Sequence, residues 1–508
     1  MKEQLALLPQ YLLAHLQLTL VALAIGIGIS VPLGIFLTRQ RHLQQTVIGI
    51  ASVIQTIPAL ALLAVMVPLL GALGLTSIGY LPAIMALTLY SILPVLRNTV
   101  IGIGEVDPAL TEAARGVGMT DWQMLLRVEL PVALPVIVAG IRTATVWTVG
   151  MATLSTPIGA PSLGNYIFSG LQTRNYSSVL VGCVASAVLA LVLDGLVRAL
   201  EVGVRERRKA LTRGAVAILV LLCIGTGASA IHAARPTGQN AVVIGAKTFT
   251  EQYILSAIMA AQVHDRTGLP TQLLQSLGST VAFDALRTGQ IDSYVEYSGT
   301  IWATLMKRTD VPQNRADVLT GVDAWLRGQH AGVLVGPLGF ENTYVLAMRG
   351  NQARSLGIKT ISDLVRHANR MTVGGDYEFF QRSEWKSIQS TYGLAFTNER
   401  SMDPSLMYQA LTNGDVDVIS AFSTDGRIAA LDLTVLTDDR GVIPPYDAII
   451  LASERLTREH PEAVASLKAL AGTIDPARMR QMNLAVDQAH RAPDSVAAEF
   501  IKSLPPQP

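Results

Sequence analysis

Six long apolar runs before residue 235 constrain the fold of this chain more than any other feature of its sequence. A helix that crosses a bilayer needs about 20 mostly apolar residues, and each run is close to that length. The runs cover residues 12–37, 47–70, 81–100, 132–154, 179–197 and 215–234. Arg39, Arg41 and His42 follow the first run in place of a signal-peptide cleavage site, so we expect that run to remain as a span. The sequence predicts an all-α polytopic membrane domain with six transmembrane helices.

Lys and Arg are concentrated in alternate connections between these runs. Arg39 and Arg41 follow the first run, Arg115 and Arg127 lie between the third and fourth, and six basic residues occupy 198–213 after the fifth. Cytoplasmic connections of membrane proteins carry an excess of Lys and Arg. We therefore expect the N-terminus and the chain after the sixth run to lie outside the cytoplasm.

Three residues inside the predicted spans allow two interpretations each. Arg142 carries a charge that is expensive in a bilayer, so it either packs against a carbonyl of another helix or takes part in a substrate path. Pro58 and Pro68 interrupt the second run, which fits a kinked helix beside a translocation pathway and also fits simple packing.

Charged residues and alternating strand-like and helix-like segments appear only after the sixth run. Strands are predicted at 242–247, 291–297, 342–347, 371–374, 416–422 and 449–452. Helical segments between them give an α/β pattern, and a length of about 270 residues favours two lobes with a cleft over a single sheet. The predicted domains are a membrane domain with five spans at 1–213, a sixth helix and linker at 214–240, and a globular domain at 241–508.

Composition and motifs argue against several function classes. Only 15% of the residues are charged and the net charge is +1, so nothing favours nucleic acid as a partner. The sequence has no phosphate-binding loop, no nucleophile elbow and no zinc-type Cys/His cluster, so we expect neither a cofactor nor a metal. Cys183 and Cys223 lie in apolar runs and are expected to be small core residues without a disulfide.

Four aromatic residues stand at the ends of predicted strands, where ligands of open α/β sheets bind. They are Tyr297, Tyr344, Phe422 and Tyr446. Filling of the core is the alternative for each of them. A trimethylammonium group has a positive charge and no N–H to donate, so the faces of aromatic rings bind it better than hydrogen-bond acceptors do.

Arg427 follows Phe422 in a turn-like segment. Its guanidinium could bind a carboxylate at the other end of the same ligand, which would then be a zwitterion. The alternative is a structural arginine paired with Asp425 or Asp432.

A polar segment between the third and fourth runs predicts a short helix, a tight turn at Gly118 and a second helix from about Asp121. Its residues resemble the EAA loop of bacterial ABC importer permeases, from which only Val128 departs. The resemblance implies a cytoplasmic coupling helix that contacts an ATPase subunit. The residues that match the motif are Glu112, Ala113, Ala114, Gly118, Leu130 and Pro131.

Motifs of the globular half resemble the substrate-binding proteins of osmoprotectant importers. They read K-T-F-T-E-Q at 247–252, V-E-Y-S-G-T at 295–300, N-T-Y at 342–344, S-T-D-G-R-I at 423–428, and D-D through P-P-Y at 438–446. The resemblance implies a quaternary-ammonium cage of Tyr297, Tyr344 and Tyr446, with Phe422 where many relatives have Tyr. Thr248, Thr300 and Thr424 lie in the same motifs and complete the candidate site with Arg427.

Together the two resemblances imply a type I ABC importer permease fused to a two-lobed, periplasmic-binding-protein-like domain. Such a chain is not itself an enzyme. It would form a homodimer in the bacterial inner membrane, with two copies of a cytoplasmic ATPase and its binding domains on the extracytoplasmic side. The expected ligands are glycine betaine, carnitine and choline, and the alternative is ergothioneine or another small zwitterion. A ligand-sensing receptor is disfavoured, because a receptor has no use for an EAA loop.

The basic residues before the sixth run give a test of this topology. A cysteine introduced at Lys209 in a cysteine-free chain should resist a membrane-impermeant maleimide in intact spheroplasts and react only after permeabilisation. A cysteine at Asp265 should react in both conditions. Labelling of position 209 in intact spheroplasts would show that the number of spans is wrong.

Overall fold

A computed structural model describes residues 2–172, 175–234, 241–308, 314–376 and 379–504. The chain forms two compact units. One contains Met1–Phe168 and Ser177–Gln239, and the other contains Ser169–Tyr176 and Asn240–Pro508. The predicted linker, residues 235–240, lies outside the described residues.

The described residues up to 234 form helices and the connections between them. The helices are α1 (Lys2–Arg39), α2 (Arg41–Thr56), α3 (Ala59–Ala72), α4 (Tyr80–Gly104), α5 (Pro108–Gly116), α6 (Asp121–Met124), α7 (Leu130–Ala152), α8 (Gly164–Gln172), α9 (Tyr176–Arg205) and α10 (Lys209–Ala234), with a π-helical turn at Leu125–Glu129 and a 3-10 turn at Thr153–Ile158.

Within the described residues, five helical segments are long and apolar enough to cross a membrane, and α2 with α3 makes a sixth if that bent pair is one span. The two helices meet at 99°. The break falls at Pro58, because a proline disfavours helical geometry in the residue before it, whereas Pro68 is accommodated inside α3. The expected kink in the second run is therefore a complete break of the helix.

Small residues let the membrane helices pack closely. A Cβ on Gly26 of α1 would lie 1.9 Å from the Ser91 hydroxyl of α4, and one on Gly34 would lie 2.6 Å from the Thr99 side chain. Close backbone approach of this kind increases van der Waals packing, which is one of the forces that drive helix association in membranes, where apolar burial contributes little. The contact between α1 and α4 therefore depends on glycine at these positions.

The charged residue inside the fourth predicted span is paired. Arg142 of α7 donates to the two carboxylate oxygens of Asp194 on α9 at 2.6 and 3.0 Å, and it lies 3.6 Å from Glu201. Its partners are carboxylates, in place of the carbonyl that we considered.

Cys183 and Cys223 are exposed on α9 and α10. The expectation that they are core residues is wrong, because the outer face of a membrane helix is also apolar.

The polar segment after α4 forms the expected helix, turn and helix. Asp107 caps α5 by accepting from the Ala109 amide at 2.9 Å. Gly118 has a φ of 82°, and the following amide of Met119 donates back to the Ala114 carbonyl at 3.1 Å. A left-handed residue at this position is a common helix terminator, and it is usually glycine. A second helix then begins at Asp121.

The globular unit contains two five-stranded sheets, in the orders β2-β1-β3-β10-β4 and β7-β6-β8-β5-β9. The strands are β1 (Val242–Lys247), β2 (Thr271–Leu277), β3 (Ser293–Tyr297), β4 (Val333–Glu341), β5 (Tyr344–Arg349), β6 (Thr372–Gly375), β7 (Asn398–Ser401), β8 (Val418–Phe422), β9 (Leu433–Leu436) and β10 (Asp447–Ala452).

Helices flank both sheets, as expected for an α/β domain. They are α11 (Thr250–Thr267), α12 (Ser279–Arg287), α13 (Ser298–Thr300), α14 (Arg315–Gly328), α15 (Gly350–Leu356), α16 (Ile361–Ala368), α17 (Ser383–Tyr392), α18 (Pro404–Asn413), α19 (Arg427–Ala430), α20 (Glu454–Glu459), α21 (Pro461–Lys468), α22 (Pro476–Asp487) and α23 (Pro493–Ser503).

Each sheet is the centre of one lobe, which confirms the prediction of a two-lobed α/β domain. The chain crosses from the first lobe to the second between β4 and β5, and it returns between β9 and β10. Helix α22 then packs on α11 and β4, so the C-terminal helices belong to the first lobe. The two crossing segments carry residues 342–343 and 437–446.

Two glycines on α1 offer a matched test of the membrane packing. Gly26→Leu should prevent the close contact with Ser91 and lower the free energy of unfolding by about 3 kcal/mol or more, since overpacking forces the helices apart. Gly28→Leu should be tolerated, because no atom lies within 4 Å of its Cβ position. Thermal unfolding followed by size-exclusion chromatography in detergent measures both. Equal stability of the two variants would contradict this packing.

Candidate functional site

Five aromatic rings form a continuous row where the two lobes meet. Tyr297 stacks on Phe249 with ring centroids 6.0 Å apart, and Phe249 stacks on Phe422 at 5.8 Å. Tyr344 lies 4.8 Å from Phe422, and Tyr446 meets Tyr344 edge-on at 5.9 Å and 85°. The structure therefore brings together all four aromatics that the sequence singled out and adds Phe249 between them.

Strand ends and crossing segments place these rings. Tyr297 is the last residue of β3, and Tyr344 opens β5 directly opposite Phe422, the last residue of β8. Tyr446 ends the returning segment. Its ring lies against the backbone of Gly299, where a Cβ would come within 2.5 Å of the ring. The backbone after β3 thus needs glycine to admit the Tyr446 ring.

A cation lies over a ring at two points of the row. The Lys247 ammonium is 5.4 Å from the Tyr297 centroid and forms a salt bridge with Glu296. The Arg382 guanidinium is 5.1 Å from the Tyr344 centroid and 3.8 Å from Glu384. Positive groups over ring faces are stabilised by the quadrupole of the ring. Each cation thus has one aromatic and one carboxylate neighbour.

Two of the tyrosine hydroxyls donate to buried carboxylates. The Tyr297 hydroxyl donates to Glu251 at 2.6 Å, and the Tyr446 hydroxyl donates to Glu384. Burial, followed by the nearby carboxylate, raises the pKa of both phenols well above their ordinary value. Both rings are therefore held in place as neutral phenols.

The predicted threonines occupy three different environments. Thr424 is buried and donates to Glu251 at 2.5 Å. Thr300 is buried in the short helix α13, and Thr248 is half-buried beside Phe249. Among these three threonines, Thr424 has a described side-chain hydrogen bond to another residue near the rings, Glu251.

Arg427 is bound within its own turn. Its Nε donates to both oxygens of Asp425 at 2.9 and 3.0 Å, and its guanidinium lies 3.9 Å from the centroid of the Tyr408 ring. Burial alone would raise the pKa of Asp425, but the arginine holds it below its usual range. This geometry supports the structural alternative, with Asp425 as the partner in place of Asp432, which pairs with Arg354. A role of Arg427 in ligand binding stays a prediction.

Comparison with known proteins identifies the family. A family model described as the substrate binding domain of ABC-type glycine betaine transport system matches residues 240–503, more than half of the chain. The chain belongs to this family. A second model, the binding-protein-dependent transport system inner membrane component, matches residues 30–206. The chain is therefore a fusion of an ABC importer permease and a glycine-betaine-type binding domain.

Individual relatives resemble either the whole chain or one half of it. The ergothioneine transport permease/ergothioneine binding protein of Helicobacter pylori is 29% identical over 94% of this chain and 86% of its own length. A glycine betaine/carnitine/choline transport system permease protein of Bacillus subtilis is 45% identical over 35% of this chain and 80% of its own. A carnitine transport binding protein of Listeria monocytogenes is 30% identical over 52% of this chain and 87% of its own.

The permease half of an ABC importer implies a partner ATPase, and most side chains of the EAA-type loop at 112–118 are exposed. Glu112, Ala113 and Gly118 are exposed, whereas Ala114 is buried. Leu130 begins α7 and Pro131 follows in its first turn. The most exposed apolar side chains of the loop are Val117, 75% exposed, and Trp122, 67% exposed.

The sequence reasoning missed three residues of the binding half. Phe249 and Glu251 lie inside the K-T-F-T-E-Q motif, so the resemblance of that motif to binding proteins could have indicated them as site residues. Arg382 lies between the 3-10 turn Phe379–Gln381 and α17, in a segment that matches no quoted motif. Its position over Tyr344 depends on tertiary packing that local patterns do not encode.

Among the described residues, no group of His, Cys, Asp or Glu is placed to hold a metal ion.

Proposed function

We propose that this chain is the permease and binding subunit of an ATP-driven importer for quaternary ammonium compounds, with glycine betaine, carnitine and choline as substrates. The row of five rings carries this proposal. Aromatic faces attract a methylated ammonium by about 2 kcal/mol or more each when water is excluded. Tyr344 and Tyr446, nearly perpendicular at 85°, form a corner in which one cation can face two rings.

The ligand carboxylate, in this proposal, binds Arg382. This guanidinium lies over a ring of the row, whereas both Nε and Nη2 of Arg427 are already bonded to Asp425. Arg382 also donates to Thr304 of the first lobe at 3.2 Å, so it reaches across from the second lobe. A carboxylate bound there would be close to the ring that contacts the ammonium group.

Ergothioneine is the second candidate, and two observations favour it. The relative that aligns with 94% of this chain carries an ergothioneine name. Tyr297, Phe249 and Phe422 also form a nearly parallel wall, with interplanar angles of 28° and 11°. A planar heteroaromatic ring can stack on such a wall in an offset arrangement, which an aliphatic betaine cannot do.

The proposal extends to the assembly. Two copies of this chain form the pore in the bacterial inner membrane, two copies of a cytoplasmic ATPase bind the 112–131 loops, and the binding domains lie on the extracytoplasmic side. The alternating positions of Lys and Arg support this orientation. The proposed domain limits remain 1–213 for the membrane domain, 214–240 for the sixth helix and linker, and 241–508 for the binding domain.

Two arginines distinguish the ends of the ligand. Arg382→Ala should weaken glycine betaine and carnitine by about 1.5–3 kcal/mol and leave choline almost unchanged, because only a carboxylate loses a charge-assisted hydrogen bond. Arg427→Ala should lower the melting temperature and weaken all three ligands equally, since it leaves Asp425 buried without its partner. Calorimetry on the full chain in nanodiscs, with ergothioneine included, measures both.

The same titrations contain their controls. Tyr344→Ala should weaken every trimethylammonium ligand by about 1–3 kcal/mol, through lost ring contact and packing. Equal losses for choline and betaine in Arg382→Ala would exclude Arg382 as the carboxylate partner. Tight binding of ergothioneine with no response to betaine, carnitine or choline would replace the first candidate by the second.

Gly118 tests the ATPase contact. Gly118→Leu puts a branched side chain on a residue with a φ of 82°, which should distort the loop and abolish ligand-stimulated ATP hydrolysis while ligand binding persists. Gly116→Leu is the matched control, because that residue lies in α5 and its Cβ position has no neighbour within 4 Å. Normal uptake by a well-inserted Gly118→Leu chain would contradict the proposed coupling.

A further inference from the structure

Glu251 is a fully buried carboxylate with four hydrogen-bond donors. It is the second residue of α11 and is 2% exposed. Its Oε1 accepts from the Tyr297 hydroxyl at 2.6 Å and from the Asn342 amide at 3.0 Å. Its Oε2 accepts from the Thr424 hydroxyl at 2.5 Å and from the Asn483 amide at 3.2 Å. Two donors on each oxygen use the full acceptor capacity of a carboxylate.

The donors come from both lobes and from the segment that joins them. Tyr297 and Asn483 belong to the first lobe, Asn342 lies on the crossing segment after β4, and Thr424 follows β8 of the second lobe. Asn483 also donates to the Thr424 carbonyl at 2.9 Å. The bonds of Thr424 can therefore form only at one separation of the two lobes.

A carboxylate is the group that this arrangement needs. Burial raises the pKa of Glu251 above its usual value, and the four hydrogen bonds to the carboxylate limit that rise. A glutamine has the same shape, but an NH2 group would replace one of the two oxygens. That NH2 group would face two hydrogen-bond donors and could accept from neither of them. An unpaired donor at a buried position costs about 1–3 kcal/mol.

We propose that Glu251 is a positioning residue for ligand capture, which fixes the lobe separation at which Tyr297 and Phe422 flank Phe249. One of its bonds holds the hydroxyl of Tyr297, and another holds Thr424, two residues beyond Phe422. These two rings lie 6.0 and 5.8 Å from Phe249. The inference rests on the proposed function only in that the domain binds a small ligand among these rings.

The first test measures lobe separation without any ligand. Spin labels at exposed Asp265 of the first lobe and Lys359 of the second, in a full chain with Cys183→Ala and Cys223→Ala, report the distance in nanodiscs diluted with unlabelled chain. Thr424→Val and Glu251→Gln should give longer and broader distance distributions than the parent. Thr424→Ser keeps the hydroxyl and should restore the parent distribution.

Thr250→Val is the matched control. The Thr250 hydroxyl also donates to a buried carboxylate, Asp487 at 2.6 Å, but both residues lie in the first lobe. This variant should lower the melting temperature and leave the label distance unchanged. A Thr424→Val distribution identical to that of Thr250→Val would overturn the proposal, since it would reduce Thr424 to an ordinary stabilising residue.

The second test measures the release of bound ligand. With radiolabelled glycine betaine, and separately with ergothioneine, Thr424→Val and Glu251→Gln should release ligand about tenfold faster with little change in association. Parent-like release in both variants would overturn the role of Glu251. If neither compound binds the parent while the label distances still change, the proposed substrates fail and the role of Glu251 stands.

Discussion

The chain of the binding half crosses twice between its two sheets, and these crossings determine which aromatic rings meet. Because β5 pairs with β8 immediately after the crossing, Tyr344 faces Phe422 in register, and the returning segment brings Tyr446 to the same place. None of these three rings is close to another in sequence. Their contact is therefore a property of two-lobed topology, and a ligand in the proposed site would touch both lobes at once. Binding there would be coupled to the separation of the lobes by geometry.

The two cations beside the rings each have a carboxylate neighbour, and this bears on what the proposed site would bind. Lys247 is paired with Glu296, and Arg382 has Glu384 nearby. A ligand with a bare positive charge gains only the ring faces. A zwitterion gains the rings and a guanidinium, without leaving a net charge in a buried place. In the proposed site, the pairing of these two cations would therefore favour a ligand that carries both signs.

Much of this architecture could be predicted from the sequence. The apolar runs gave the membrane helices, and β1, β3, β5, β6, β8 and β10 were predicted within a few residues, because they are apolar and bounded by turns. Strands β2, β4, β7 and β9 were missed. Exposed β7, which reads N-E-R-S, shows why: such strands lie at the sheet edge, where no apolar pattern is required. For Arg427 the sequence left two interpretations open, a ligand carboxylate or a pairing with Asp425 or Asp432, because distances between these side chains cannot be read from local sequence.

The absence of a hydroxyl at Phe422 follows from how each ring is held. Tyr297 and Tyr446 are anchored at the edge, each through a hydroxyl bonded to a buried carboxylate. Phe422 needs no such anchor, because it packs between Phe249 at 5.8 Å and Tyr344 at 4.8 Å. A hydroxyl at this half-buried position would require a polar partner, and the ring neighbours on both sides are aromatic. Packing against the two neighbouring rings therefore replaces hydrogen bonding at this position.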